Sequence, residues 1–254
     1  MSLAGRRIAI TRPASSSAAL ASRLDAAGAT VLVAPAIRRG PPSSWELLDA
    51  GLSRLAAGGY DGVLFTSPAA VAPFCERLGR IAGLDVLERL TVGAVGPGTA
   101  AALAARGIEG AIVPPREDGA SLAEAVAAAF GSRLDGARFL QPRAEEGRAE
   151  LSAGLRARGA AVDVAPAYRT IRAAAEELRP LAVELAAGRC DAVVFASPSA
   201  VGAVLDAAAL GAAKAVAIGE TTARALRSRG VGEVFVAATA DDDGIFAAVE
   251  QALR

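Results

Sequence analysis

The sequence predicts an α/β protein built from two parallel β-sheets flanked by helices. The 254 residues are enough for two small domains. Short β-branched runs alternate with helix-length segments rich in Ala and Leu, and the pattern of the first half returns in the second. Such alternation is typical of parallel sheets covered by helices. We therefore expect an internal duplication.

The strands and the helix boundaries can be assigned from local signals. In the first copy we expect strands at Arg7 to Thr11, Val31 to Ala34, Gly62 to Thr66, Val92 to Gly96 and Ala111 to Val113. Ser67 and Ser197 each precede a proline, the arrangement of an N-cap followed by the first helical turn. Glycines mark the expected helix ends at Gly28, Gly107, Gly159 and Gly230.

The two copies align in three blocks. The opening segments match without a gap, the segment YDGVLFTSPAAV matches CDAVVFASPSAV, and TVGAVGPGTAAALAARGI matches KAVAIGETTARALRSRGV. Residue pairs that follow from this register are Arg12 with Arg143, Ser67 with Ser197, and Thr99 with Thr222. The Pro/Gly/Ser-rich residues 35–44 and their counterpart 166–174 are expected to be linkers. Each domain would then combine the front of one copy with the back of the other, although two tandem domains are also compatible with the sequence.

Composition excludes several kinds of chemistry. Lys+Arg and Asp+Glu are both 27, so the formal net charge is zero and there is no broad basic surface for a nucleic acid or an anionic membrane. There is no histidine, which removes His-containing triads and His metal ligands. Cys75 and Cys190 stand far apart and are expected to be buried apolar residues. No segment has the length of a signal peptide or a membrane span, so we expect a soluble cytoplasmic protein.

Ligands of parallel α/β sheets bind at the carboxyl ends of the strands, where helix N-termini expose free N–H groups that favour anions. The candidate binding residues in these loops are Arg12, Ser67, Thr99, Arg143, Ser197 and Thr222. Simple helix capping, or ion pairing for the arginines, is the alternative interpretation of each. Tyr168 aligns with Ile37 and either faces a cleft or packs in the linker. The run from Asp241 to Asp243 is expected to cap a helix rather than to bind a metal.

The order and spacing of several segments resemble the uroporphyrinogen-III synthase family over nearly the whole chain. The segments are ITRP, DGVLFTSPAAV, AVGPGTAAAL, DGASLAEAV, FLQPRAEEGRAELSAGLRARGAAVDVAPAYRT, VVFASPSAV and AIGETTARAL. The resemblance implies two flavodoxin-like α/β domains joined by a two-stranded linker. The first would comprise residues 1–36 and 170–254, and the second residues 37–169.

The resemblance also implies an activity. A cyclising lyase of this family closes linear hydroxymethylbilane to uroporphyrinogen III, with loss of water and inversion of the last ring, in haem and cobalamin biosynthesis. The family's cleft tyrosine matches Tyr168, the implied proton donor or hydrogen-bond partner of the departing hydroxyl. Its backbone-amide contacts to substrate carboxylates match Ser67, Ser197 and the loops at Thr99 and Thr222, with Arg12 and Arg143 as weaker carboxylate contacts. No cofactor or metal is implied, because positioning and electrostatic stabilisation suffice for this reaction.

The implied partner is the small-molecule substrate, received in a transient hand-over from the preceding deaminase, with no nucleic acid or membrane. We expect a monomer. The main alternative is a cytosolic two-lobed protein that binds an anionic small molecule without chemistry, since it would use the same loops. A nucleotide-dependent Rossmann enzyme is disfavoured because the GxGxxG spacing is missing.

Overall fold

The structure, a computed structural model, describes residues 2–254 and divides into two compact units. Unit 1 is formed by the chain up to Arg38 together with Ile171–Arg254, and unit 2 is formed by Arg39–Thr170. The chain therefore leaves unit 1 once, completes unit 2, and returns.

Ten β-strands lie in the described residues. In chain order they are β1 (Arg7–Ile10), β2 (Thr30–Val33), β3 (Ile37–Gly40), β4 (Gly62–Phe65), β5 (Thr91–Ala94), β6 (Arg138–Ala144), β7 (Ala161–Arg172), β8 (Ala192–Phe195), β9 (Lys214–Ala217) and β10 (Val234–Val236).

Ten α-helices lie in the same described range. They are α1 (Ala14–Ala26), α2 (Glu46–Ala56), α3 (Val71–Leu78), α4 (Pro97–Ala104), α5 (Gly119–Phe130), α6 (Glu150–Arg156), α7 (Arg179–Ala186), α8 (Pro198–Ala207), α9 (Glu220–Ser228) and α10 (Asp242–Ala252). Short 3-10 helices are found at Pro68–Ala70, Leu84–Arg89 and Gly131–Leu134.

Each sheet mixes strands from both copies of the duplication. The first sheet has the order β10-β9-β8-β1-β2, and the second has the order β3-β7-β6-β4-β5. Strands β1 and β2 of the first copy thus join β8, β9 and β10 of the second, and β1 runs parallel to both β2 and β8. In the second sheet β6 runs parallel to both β4 and β7. The α/β class with parallel sheets is confirmed.

Apolar side chains cover both faces of each sheet. In unit 2, Phe65 and Phe74 meet edge to face on one side with ring centroids 5.1 Å apart. Phe139 and Phe130 do the same on the other side at 5.0 Å. Unit 1 has one apolar cluster around Phe195 and a second around the buried side chains of β1 and α10. Burial on both faces explains why the strands are almost uniformly apolar.

The local signals for helix boundaries are confirmed. All four glycines expected at helix ends have φ between 77° and 94°. Ser67 and Ser197 both accept a hydrogen bond from a backbone N–H of the turn that they precede. Asp241 caps α10 by accepting from the Gly244 N–H at 2.8 Å.

The strand expected at Ala111 to Val113 is wrong. This segment makes a single isolated bridge between Ile112 and Gly93, with no strand. Two prolines follow directly, and they lack the N–H groups that a longer ladder would need. The linker expected at residues 35–44 contains strand β3, which lies beside β7 at the edge of the second sheet.

Candidate active site

The carboxyl ends of β4, β6 and β7 form the candidate site in unit 2. Ser67 follows β4 by two residues, and its Oγ accepts a hydrogen bond from the Ala69 N–H at 3.2 Å. This bond caps the 3-10 turn Pro68–Ala70, which leads directly into α3. The serine is thereby held at the end of a buried strand with its side chain half-buried.

Tyr168 lies near the end of β7. The ladder between β6 and β7 shifts register between Arg143 and Ala144, so that Ala144 pairs with Tyr168. The Glu145 N–H then donates to the Tyr168 carbonyl at 2.8 Å, which fixes the backbone at this position. The Tyr168 hydroxyl donates to Ser67 Oγ at 3.1 Å. Two residues that the sequence singled out separately are in hydrogen-bond contact.

A cavity of about 270 Å³ adjoins this pair. Its walls include Ser67, Tyr168, and the beginning of α5, where Asp118 caps the helix by accepting from the Ser121 N–H at 2.7 Å. The Ser121 N–H and hydroxyl lower the pKa of the Asp118 carboxyl. Glu117 also lines the cavity. The cavity therefore combines neutral hydroxyl groups with charged walls in which the carboxylates outnumber the one guanidinium, that of Arg148.

Arg143 lies at the end of β6 in the same unit. Its Nη1 donates to the Arg148 carbonyl, and its buried Nε has no hydrogen-bond partner in the described structure. Burial, together with the nearby Arg156 cation, lowers the pKa of the Arg143 guanidinium. Among the described residues no carboxylate pairs with it. Arg143 is thus a half-buried cation without a counter-ion.

The matching arginine in unit 1 is neutralised. Arg12 donates to Asp242 at 2.7 Å, and its side chain is only 14% exposed. Asp242 is the first residue of α10, whereas the residue at the corresponding position of α5 is Gly119. Arg12 is thus held in an ion pair, whereas Arg143 has no carboxylate partner among the described residues.

Ser197 in unit 1 repeats the cap of Ser67. Its Oγ accepts from the Ala200 N–H at 3.2 Å at the start of α8. Among the described residues, no tyrosine hydroxyl bonds to it, and the residue aligned with Tyr168 is Ile37. The capping interpretation therefore accounts for the hydrogen bond that Ser197 makes.

Thr99 and Thr222 are buried within the first turns of α4 and α9 and do not cap these helices. The N-cap positions are occupied by Gly96 and Gly219, which have no side chain to offer. The backbone N–H groups of Thr99 and Thr222 bond back to these glycine carbonyls at 3.0 and 3.1 Å.

The loops at Gly96 and Gly219 differ in whether another side chain covers the helix N-terminus. At Gly96 an added Cβ would lie 2.4 Å from a carboxylate oxygen of Glu117, so the protein's own anion already occupies this helix N-terminus. At Gly219 nothing lies within 4 Å of such an atom. The loop that precedes Thr222 is therefore open, and the loop that precedes Thr99 is not.

Two polar features were not predicted from the sequence. The Gln141 side chain is fully buried on β6, and neither its amide nitrogen nor its oxygen has a partner. At the opposite end of the sheet, the Tyr60 hydroxyl donates to Asp163 at 2.7 Å, with Arg54 and Arg138 on the same carboxylate oxygen. Only the three-dimensional arrangement brings this second cluster together, since its members come from α2, β6, β7 and the loop before β4.

The fold and this site define a duplicated α/β protein with a tyrosine–serine pair at the carboxyl ends of its strands. None of the helices in residues 2–254 has the length and hydrophobicity that a membrane span requires. The family model described as "Uroporphyrinogen-III synthase HemD" matches residues 18–247. This chain belongs to the uroporphyrinogen-III synthase family.

Curated relatives agree with this membership. A uroporphyrinogen-III synthase of Synechococcus elongatus is 36% identical over 171 residues, which are 66% of this chain. The alignment spans only 62% of that relative's own length. A putative uroporphyrinogen-III synthase of Methanothermobacter thermautotrophicus is 32% identical over 241 residues, covering 88% of this chain and 90% of the relative.

Solved structures show the same fold. A mutant uroporphyrinogen III synthase from the extremely thermophilic bacterium Thermus thermophilus has a TM-score of 0.63 and 25% identity, and 98% of each chain is covered. A uroporphyrinogen-III synthetase from Helicobacter pylori has a TM-score of 0.66 and 19% identity, over 98% of this chain and 100% of the other.

Proposed function

We propose that this chain closes hydroxymethylbilane to uroporphyrinogen III, with loss of water and inversion of the terminal pyrrole ring. The single observation that carries the proposal is the hydrogen bond from Tyr168 to Ser67 at 3.1 Å beside a cavity in unit 2. Because the chain belongs to this family, we interpret the pair as part of the site where that reaction takes place.

Tyr168 is the proposed acid. A phenol keeps its proton at neutral pH and can donate it, or a strong hydrogen bond, to the hydroxyl that leaves. The carbon–oxygen bond breaks, the hydroxyl departs as water, and the pyrrole nitrogen supplies the electron pair, which leaves an electrophilic azafulvene. In the structure Ser67 accepts the only proton of the phenol, and the Ala69 N–H fixes the position of Ser67. For catalysis the phenol O–H would turn to the substrate hydroxyl, and the Ser67 hydroxyl would instead donate to the phenol oxygen and hold it in place.

The remaining steps use the substrate's own electrons. The substituted carbon of the last pyrrole attacks the azafulvene to form a spiro intermediate, which fragments and closes again with the ring reversed. The proton that the ring carbon loses on this last closure returns to the Tyr168 oxygen and restores the phenol. Positive charge develops on the pyrroles as the hydroxyl leaves. The carboxylates of Glu117 and Asp118 line the cavity next to Tyr168 and would stabilise that charge.

Binding of the substrate carboxylates is proposed for the other predicted residues. Arg143, which has no counter-ion in the described structure, is the stronger candidate, and Arg12 is the weaker one because Asp242 already pairs with it. The open loop at Gly219 favours Thr222 over Thr99 as a place where backbone N–H groups receive an anion. Ser67 and Ser197 complete the proposed binding set.

We further propose the cellular setting that the resemblance implies. The protein would act in the cytoplasm as a monomer and receive its substrate from the preceding deaminase. Its two domains would be residues 1–36 with 170–254, and residues 37–169.

The decisive experiment is a coupled assay with freshly generated hydroxymethylbilane that separates the type III product from the type I isomer formed spontaneously. We expect the wild-type chain to give type III product. Tyr168→Phe should lower kcat by about 10²- to 10⁴-fold, the range typical of general acid catalysis. Formation of the type I isomer alone by the wild type would contradict the proposal and favour a binding protein.

Tyr60→Phe is the matched control. Tyr60 is the only other tyrosine of the chain and bonds to Asp163, away from the proposed site. It should retain the wild-type kcat when assayed well below its unfolding temperature. Equal losses of kcat in both variants would show that the effect of Tyr168→Phe is not specific to the site.

A further inference from the structure

A second cavity in unit 2, of about 330 Å³, lies beside Tyr168 and is lined by a different set of side chains. Arg39, Arg80 and Trp45 line it, together with Pro41. We call this the Trp45 pocket. A volume near 300 Å³ is at the lower end of the range for small-molecule sites, so the pocket suits one ring with its substituents rather than a whole tetrapyrrole.

The charge of the Trp45 pocket comes from two unpaired arginines. Arg77 also lines the pocket, but its Nε donates to Asp49 at 2.6 Å, and Asp49 therefore neutralises it. The pocket's one carboxylate, Glu76, lies 3.7 Å from Arg106. Among the described residues, the guanidinium groups of Arg39 and Arg80 have no ion-pair or hydrogen-bond partner.

An apolar wall stands next to these charges. The Trp45 ring is half-buried, and the Arg77 guanidinium lies 4.3 Å from its centroid, where it fixes the ring. Pro41 and Pro73 add rigid apolar surface. A flat, electron-rich ring that carries carboxylate arms matches this combination, since the ring meets the apolar wall while the arms reach the guanidinium groups.

Tyr168 connects the Trp45 pocket to the cavity described above, because its side chain lines both. The two spaces differ in the balance of their charged groups, since arginines predominate in the Trp45 pocket and carboxylates in the other cavity. The cavity beside Ser67 has three carboxylates in its walls, Glu117, Asp118 and Glu150, and its one guanidinium, Arg148, lies 4.0 Å from Glu150. Carboxylate arms of a substrate at Tyr168 are therefore better accommodated on the Trp45 side.

We infer that the Trp45 pocket is a subsite for one carboxylate-bearing pyrrole ring of the linear tetrapyrrole, with Arg39 and Arg80 binding its carboxylates and Tyr168 separating it from the reacting ring. This inference rests on the proposed function for its substrate class. The subsite adds Arg39, Trp45 and Arg80 to the binding residues that the sequence predicts.

The sequence offers a direct probe of the subsite, because Trp45 is the only tryptophan of the chain. The ligand for the test is a pyrrole that carries one acetate and one propionate chain, and its dimethyl ester is the uncharged control. Titration of the full-length protein with the diacid should change the Trp45 fluorescence in a saturable way, and the ester should not. Added salt should weaken the binding, since both arginines are exposed.

The variants Arg39→Gln and Arg80→Gln should each weaken diacid binding about tenfold or more, the effect of losing a hydrogen bond to a charged group. Both side chains are exposed, so folding should be retained. Arg89→Gln is the matched control, because Arg89 is an exposed arginine of unit 2 that does not line the pocket. In turnover, the two pocket variants should raise KM for hydroxymethylbilane far more than they lower kcat.

The inference is overturned if the diacid leaves the Trp45 fluorescence unchanged, if the ester binds equally well, or if the pocket variants bind the diacid as tightly as Arg89→Gln does. These outcomes are independent of turnover. Normal type III formation with a KM unaffected by either substitution would also reject the subsite while the proposed function stands. Absence of type III product from the wild type would reject the proposed function, and the titration would still decide the pocket.

Discussion

The Tyr168 hydroxyl donates a hydrogen bond to Ser67 Oγ at 3.1 Å, although the two residues are 101 positions apart in the chain. Strand β6 lies between their strands β7 and β4 in the sheet. The contact therefore spans the end of β6, where the ladder shifts register between Arg143 and Ala144. The position of the proposed acid depends on this local irregularity as well as on the sheet order.

Ser67→Ala should reduce turnover by misplacing Tyr168. The substitution removes both the acceptor of the Tyr168 hydroxyl and the cap of the turn Pro68–Ala70. We expect kcat to fall about tenfold or more, the equivalent of one hydrogen bond of about 1.5 kcal/mol, together with a loss of about 1 kcal/mol in the free energy of unfolding. Initial rates of type III formation and urea unfolding measure the two effects.

Ser197→Ala provides the comparison for stability. It removes the same kind of cap from α8 without touching a tyrosine, so it should also lower the free energy of unfolding by about 1 kcal/mol. Its loss of kcat should be clearly smaller than that of Ser67→Ala. Identical kcat values for the two variants would mean that Ser67 acts only as a cap.

Arg143→Gln should weaken substrate binding, whereas Arg12→Gln should mainly weaken folding. Arg143 has no carboxylate partner in the described structure, so we expect its loss to raise KM about tenfold. Arg12 pairs with Asp242 in a mostly shielded position, and its loss should reduce the free energy of unfolding by about 1 kcal/mol. Steady-state kinetics and denaturant unfolding of both variants test this division. A larger KM for Arg12→Gln than for Arg143→Gln would contradict it.

Tyr60 should make the protein sensitive to alkali. Burial, and then the hydrogen bond and the charge of Asp163, raise the pKa of Tyr60 from 10.0 to about 12. A raised pKa stabilises the folded state fully below pH 10, and this stabilisation is lost as the pH rises towards 12. The two-unit shift corresponds to at most about 2–3 kcal/mol.

The variant Tyr60→Phe should accordingly be less stable than the wild type at pH 8, and the difference should shrink between pH 10 and 12. Urea unfolding at a series of pH values measures it. Burial raises the pKa of Asp163, but the Tyr60 hydrogen bond and the charges of Arg138 and Arg54 outweigh burial and leave that pKa lowered. A constant stability difference across the alkaline range would show that Tyr60 ionises equally easily in the folded and unfolded states.

Two helix-end glycines should respond differently to alanine. Gly28 has φ of +94°, and an added Cβ would lie 3.1 Å from the Ala4 Cα. Gly107 has φ of +77°, and nothing lies within 4 Å of such an atom. Gly107→Ala should cost about 1–2 kcal/mol from backbone strain alone, and Gly28→Ala should cost more because the Ala4 backbone must also move. Equal thermal stabilities of the two variants would contradict this difference.

Much of the fold follows from short-range sequence signals. The caps at Ser67 and Ser197 and the glycine ends at Gly28 and Gly107 depend on neighbours within a few residues, so the local sequence suffices to place them. The strands follow from β-branched runs for the same reason. The strand expected at Ala111 to Val113 does not form, because two prolines follow it directly and cannot donate to a ladder.

Prediction of the candidate site relied on aligning the two copies of the duplication. Alignment paired Arg12 with Arg143, but it could not show that Asp242 neutralises only the first of them, since that ion pair joins residues 230 positions apart. Likewise, the local sequence around Gly96 does not indicate that Glu117 covers the loop before Thr99. The Trp45 pocket was missed because Arg39, Trp45 and Arg80 lie on separate elements and share no periodic pattern.

By itself, the sequence determined the α/β class, the duplication, the helix boundaries and the resemblance to a family, because each of these is written in local propensity or in repeated order. Only the tertiary structure decided which copy supplies which strand, that Tyr168 meets Ser67, and which arginines stay free of a counter-ion. The physical reason is that hydrogen bonds and charge pairing act over a few ångströms in space. Distances of that kind are set by how the strands assemble into sheets, which neither spacing nor composition specifies.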